Sequence, residues 1–372
     1  MATLALCSAL ACAESPDPKP TTGHLPAGGD GDGDGDSSNP GNGDGADGDG
    51  GHALDPQDNE PDACADIETT PVRTVPSVVF LVDGSLSMVC EYPGSETCDG
   101  RQGTPVGAKS RWQVLSEALV GSPGQPGLVE SLGSVIRFGL WIYNDDANTN
   151  VCPGFPSKID PALNQSQLIT QSFPATPPGF NTPTGVALAA LVAALPDPVQ
   201  RDQMKLGPQR IVLATDGEPF ACQNRETLEK PPVDYQSVLD ATAQAGAKDI
   251  SVYAMSLAPA TGMQANHLQQ VAASGNTKQA YTPANTDQLR AALNDIIEDA
   301  ISCTLEIEGE ISDPSSCKGQ GKLGDSVLFC GQPNGFSILD AHHVRLEGTA
   351  CETFKREPGI QLSMKFPCWQ LQ

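Results

Sequence analysis

Three short polar clusters in this chain combine residue types that can hold a hard cation. Asp83-Gly84-Ser85-Leu86-Ser87 ends one apolar run, and Thr215-Asp216-Gly217-Glu218 ends another. Asn181-Thr182-Pro183-Thr184-Gly185 opens an Ala/Leu-rich segment. Together they offer two carboxylates and several hydroxyls. Such hard oxygen ligands suit Mg²⁺, Ca²⁺ or Mn²⁺ better than copper or zinc. With few carboxylates around it, the ion stays electrophilic and can take an acidic group from a partner. Serines and threonines in such places also cap helices and turns, but capping does not require an acid at the end of both apolar runs.

Other chemistries find less support. There is no His-Glu-x-x-His and no Gly-x-Ser-x-Gly, and no histidine stands near the first cluster in sequence. A metal-dependent hydrolase therefore lacks an identifiable base. Gly103 to Ser110 approaches a P-loop, but Ala108 separates Gly107 from Lys109. His342 and His343 are successive, and on a strand they point to opposite faces. An EF-hand frame beginning at Asp30 puts Gly41 where the bidentate Glu belongs.

The elements around the clusters alternate. Residues 77–83 form a continuous apolar run with the character of a buried parallel strand. Spacing predicts a helix over 109–120, a strand over 135–143 and a helix over 183–195, with Thr182 as its N-cap and Pro183 in its first position. A strand over 209–216, a helix over 233–245, a strand over 250–257, a helix over 265–273, a short strand over 279–282 and a helix over 287–301 follow. This order implies an α/β fold with a doubly wound, mostly parallel sheet. In such folds, sites lie at the carboxyl ends of the strands, where all three clusters fall.

These residues resemble the von Willebrand factor type A (VWA) domain and its metal-ion-dependent adhesion site (MIDAS). The family pattern is Asp-x-Ser-x-Ser, then a Thr before a helix, then an Asp in a Thr-Asp-Gly turn. All three parts occur here in order, within residues 76–302. The resemblance implies that Ser85, Ser87 and Thr182 ligate the metal directly, that Asp83 and Asp216 act through bound water, and that one position stays open. Thr184 is the alternative threonine. It also implies a protein or glycan partner presenting a carboxylate, and no enzymatic activity.

The chain has 12 cysteines and none are spaced Cys-x-x-Cys, which argues against zinc ribbons and thioredoxin-like sites. Loop positions suggest Cys90–Cys98 and Cys152–Cys222 beside the metal face, and Cys64–Cys303 clamping the ends of the domain. Residues 303–372 read as a small β module stapled by Cys317–Cys330 and Cys351–Cys368. The loops over 90–109 and 152–178 are where specificity would reside.

Residues 1–12 read as the apolar part of a signal peptide. Ala9-Leu10-Ala11-Cys12 resembles a bacterial lipobox, the alternative being export after an Ala-x-Ala site. Residues 13–75 read as a disordered Asp/Gly/Pro-rich linker. The net charge is −25, yet residues 1–70 hold 15 acids against one lysine. The charge is thus mostly a solvated tether. It argues against nucleic acid, and it leaves a lipid on Cys12 as the only route to a membrane. The expectation is an exported, tethered binding protein. The alternatives are a structural component of a surface or periplasmic assembly and, less favoured, the hydrolase.

Overall fold

The computed structural model describes residues 67–372 apart from 73, 96, 147–150, 225, 228, 358, 368, 369 and 372. The signal, the lipobox, the Asp-Gly repeats, Cys64 and Cys368 lie outside the described residues. The chain runs through β1 (Ile67–Thr69), β2 (Ser77–Asp83), α1 (Arg111–Val120), a hairpin of β3 (Gly121–Ser122) and β4 (Gln125–Pro126), and α2 (Leu128–Leu132). Next come β5 (Arg137–Asp146), β6 (Val151–Ala162), α3 (Ser166–Ser172), α4 (Thr184–Ala194), α5 (Pro198–Met204) and β7 (Gln209–Thr215). Then follow α6 (Tyr235–Ala247), β8 (Ile250–Ser256), α7 (Gly262–Ser274) and α8 (Thr286–Ala300).

The main sheet has the order β6-β5-β2-β7-β8. β5, β2, β7 and β8 are parallel, and β6 runs antiparallel at the edge. Central β2 is buried along its whole length, as its unbroken apolar run requires. Alternate residues serve opposite faces. Val79 and Leu81 pack with α4, α6 and α7, through Leu188, Val238 and Leu268. Val78, Phe80 and Val82 belong to the other core, with Trp112 of α1, Ile169 of α3 and Leu293 of α8.

Several sequence expectations shift. The sequence reads as loop over 152–178, but residues 151–162 form β6. Pro153, Pro156 and Pro161 disguise it, and prolines are tolerated there because an edge strand leaves one side unpaired. The strand expected at 279–282 reduces to a single bridge, Tyr281 to Met255. α4 starts one residue later than expected, with Pro183 as N-cap and no side-chain capping bond. Thr182 therefore does not cap that helix.

The C-terminal region contains β9 (Thr304–Glu306), β10 (Gln320–Leu323), β11 (Ser326–Phe329), β12 (Phe336–Ile338), β13 (His343–Leu346), α9 (Gly348–Arg356) and β14 (Leu362–Phe366). They build two small sheets, β1-β14-β10-β11 and β12-β13-β9. The expected linker thus ends before residue 67, because Ile67–Thr69 pairs with Met364–Phe366. Phe336, Leu346 and Phe366 join the same apolar core as Val78 and Phe80. His342 and His343 bond different partners, Gly309 O at 3.1 Å and Asp340 Oδ1 at 2.8 Å, and form no pair.

Disulfides form at Cys90–Cys98, Cys152–Cys222 and Cys317–Cys330 as expected. Cys303 pairs with Cys351, which overturns both Cys64–Cys303 and Cys351–Cys368. The cause is register. β9 pairs with β13, so Cys303, just before β9, meets Cys351 in the helix that follows β13. The Leu346 N–H bonds the Cys303 carbonyl at 2.9 Å. α9 was hidden in sequence because its buried face is short, Ala350 and Phe354.

Gly185 shows how tightly the second cluster is seated. A Cβ there would lie 1.9 Å from Ser237 Oγ and 2.8 Å from the Ser237 carbonyl carbon, so α4 and α6 meet backbone to backbone. Gly185→Ala should lower stability by about 1–3 kcal/mol, as overpacking does. Urea denaturation checks this, and an unchanged midpoint would show that the two helices separate without strain.

Candidate metal centre

β2 and β7 are parallel neighbours, with Val82 opposite Ala214. Their carboxyl ends therefore bring Asp83 and Asp216 to one place. Asp83 closes an Asx turn by accepting the Ser85 N–H at 2.9 Å on Oδ1. Its Oδ2 accepts the Thr215 hydroxyl at 2.8 Å. The Ser85 and Ser87 hydroxyls are 3.0 Å apart, and Ser87 Oγ donates to Asp216 Oδ1 at 2.8 Å. Two loops widely separated in sequence thus form one hydrogen-bonded cluster of hydroxyls and carboxylates.

The Thr182 loop is tied to both. Gly179 N–H bonds Gly84 O at 2.8 Å, and Leu86 N–H bonds Phe180 O at 3.2 Å. The Thr182 carbonyl accepts the Phe220 N–H at 2.9 Å, from the loop after β7. Thr182 is buried, at 5% exposure. The Thr184 hydroxyl is engaged elsewhere, 3.0 Å from the Tyr143 hydroxyl.

Both aspartates are inaccessible, Asp83 at 0% and Asp216 at 1%. Arg111 Nη1 donates to Asp216 Oδ2 at 2.7 Å, and both of these side chains are fully buried. Asp83 accepts only neutral donors among the described residues. Burial, and then the charge of Asp216, push the Asp83 carboxyl up to about 7. Asp216 is also raised by burial, with Arg111 and Ser87 opposing. The same surroundings, with Asp83, drive the Tyr143 phenol well above its ordinary value. Among the described residues no cluster of three or more His, Cys, Asp or Glu side chains is placed to hold a metal. A cation here must rely on hydroxyls. The donor set fits a hard divalent ion, because Asp83 is a buried carboxylate without a cationic partner.

Sequence reasoning missed Arg111, Thr215 and Tyr143 as parts of this site. Thr215 stands inside the third cluster, at the end of β7, where its hydroxyl reaches Asp83. Arg111 begins α1, more than a hundred residues from its partner, and carries no sequence signal.

No protein-family model matches the chain, and no curated protein does. Solved structures give distant likenesses. The pilus adhesin SpaC from Lactobacillus rhamnosus GG has a TM-score of 0.44 at 14% identity, covering 79% of this chain and 39% of the adhesin. The PilB minor pilin from Streptococcus sanguinis has a TM-score of 0.41 at 15% identity, covering 60% of this chain and 61% of the pilin. The SpRpn10 VWA domain has a TM-score of 0.35 at 12% identity, covering 59% of this chain and 95% of that domain. The chain thus spans less than two thirds of the length of the first two. At these scores the likenesses decide nothing about its function.

The two buried carboxyls make metal-free stability sensitive to pH. The folded value of Asp83, about 7, lies above its ordinary 3.8. Its contribution is therefore fully present below 3.8 and is lost as pH rises through 7. In EDTA, the melting temperature of the wild type should fall relative to Asp83→Asn across that window. Parallel curves for the two proteins would contradict the assignment.

Proposed function

We propose that the three loops form a MIDAS on a doubly wound, VWA-type domain. Ser85, Ser87 and Thr182 hold Mg²⁺, or Ca²⁺ or Mn²⁺, directly, while Asp83 and Asp216 act through water. The observation that carries this reading is Asp83, a fully buried carboxylate beside a second one with no cationic partner of its own. Desolvating such a group is unfavourable unless a positive charge compensates it. Thr182 is favoured over Thr184, whose hydroxyl faces Tyr143.

When bound, the cation supplies an electrophilic position for a ligand carboxylate. The chain's own residues do the rest. Asp83 and Asp216 supply charge from beneath, and the Asx turn fixes the spacing of Ser85. The ties from Gly84 and Leu86 to the 179–180 backbone hold the threonine loop in register. The partner is a protein or glycan displaying an acidic group, and nucleic acid is disfavoured by a net charge of −25.

The four disulfides among the described residues support an exported, surface-located protein, since cross-links persist in oxidising compartments. No helix among the described residues is long and apolar enough to cross a membrane. Tethering through a lipid on Cys12 is the reading that the sequence favours. A structural role in a surface or periplasmic assembly, with a metal that only stabilises the fold, is the second reading. The near-complete burial of the aspartates favours it.

Pulldown from envelope and extracellular material, with Mg²⁺ or with EDTA, separates the two. Binding by the wild type should require Mg²⁺, and Asp216→Ala should abolish it. A partner retained fully in EDTA would overturn the proposal. A large Mg²⁺-induced rise in melting temperature with no metal-dependent partner would favour the structural role.

A further inference from the structure

We infer that Arg111 is a resident counter-ion of the metal centre that links cation loading to the Cys90–Cys98 loop. The inference rests on the metal reading above and deepens it.

Arg111 is an unusual residue to find where it is. It occupies the first position of α1, after Ser110, which forms a reciprocal capping box with Gln113. Its backbone N–H, free of helix partners at that position, bonds the Cys90 carbonyl at 2.9 Å. The side chain has no exposure at all. One end of the guanidinium holds Asp216 Oδ2, and Nη2 reaches the carbonyls of Ser95 and Pro93. Nε has no partner, so the fork is not locked by a saturated network. A planar fork can hold a carboxylate and carbonyls at once, which a point charge cannot do equally well.

The loop that Arg111 grips is closed at its base. Cys90 and Cys98 are bonded, Glu91 bridges Ser110, and Tyr92 N–H bonds Lys109 O at 2.9 Å. Arg111 is therefore a direct contact between the metal cluster and the segment 93–95. Asp216 divides its oxygens, Oδ1 toward Ser87 and Oδ2 toward Arg111. A divalent ion arriving on the Ser87 side draws on the same carboxylate charge. The guanidinium and the ion repel one another inside a buried site, where charges are weakly screened. Arg111 thereby keeps the cation affinity low, and loading weakens its hold on Asp216 and on segment 93–95.

The test combines Mg²⁺ titration calorimetry with amide hydrogen exchange on the full chain. In the wild type, Mg²⁺ should slow exchange around Ser85–Ser87 and speed it in segment 91–98. Arg111→Met, which removes the competing charge, should bind Mg²⁺ roughly tenfold to a hundredfold more tightly and show no Mg²⁺ response in 91–98. Arg111→Lys keeps the charge but not the fork, so it should bind Mg²⁺ within about threefold of wild type and also lose the loop response. A wild-type loop indifferent to Mg²⁺ that does protect Ser85–Ser87 would overturn the linkage and leave the metal site standing. Equal affinities for wild type and Arg111→Met would overturn the counter-ion role. No Mg²⁺ effect anywhere in the wild type would remove the metal reading, and this inference with it. The wild-type exchange result holds even if the methionine variant fails to fold.

Discussion

Two aspartates at the ends of adjacent parallel strands are taken out of water together, and the one guanidinium beside them bonds Asp216 and not Asp83. That imbalance of buried charge is what the surrounding structure depends on. Desolvation alone would protonate or expel such a pair. Thr215, the Ser85 amide, Ser87 and Arg111 each supply a hydrogen bond to one of the four carboxylate oxygens. Each donor comes from a place the sheet fixes: the strand end, the turn after it, the 3₁₀ turn beyond, and the start of α1. Neutral donors reduce the penalty at Asp83 without cancelling its charge, which leaves room for a cation in the account.

The sheet explains why these groups meet at all. β2 can pair in parallel with both β5 and β7 only through crossovers, and their helices cover the two faces. The crossovers leave the carboxyl ends of the strands free for loops. The Thr182 loop reaches the site because β5 and β6 stand beside β2, and the backbone of 179–181 is pinned to Gly84, Leu86 and Asp145. Gly185 lets α4 approach α6 closely enough to keep that loop in place.

Much of this is legible in the sequence. The apolar runs ending in Asp83 and Asp216 announce buried parallel strands, and Ser85 and Ser87 follow the first of them within four residues. What was hidden has physical causes. β6 carries three prolines that only an edge strand tolerates. α9 has only nine residues, opens on Gly348 and buries just Ala350 and Phe354. The Cys303–Cys351 link depends on the pairing of β9 with β13, a register that composition does not encode. Arg111 was the largest omission, because a buried arginine looks in sequence like any helix-opening cation, and its partner lies on a distant strand end. The same contact makes the loop beyond Cys90 part of the site rather than an ornament beside it.

The central claim, that these loops hold a divalent cation, is tested most directly by anomalous diffraction. Crystals of the protein grown with Mn²⁺ would be measured at the manganese edge. The account predicts one strong anomalous peak among the oxygens of Ser85, Ser87 and Thr182, with Asp83 and Asp216 behind it. Density showing Ser87 still donating to Asp216, with no peak there at saturating Mn²⁺, would contradict it.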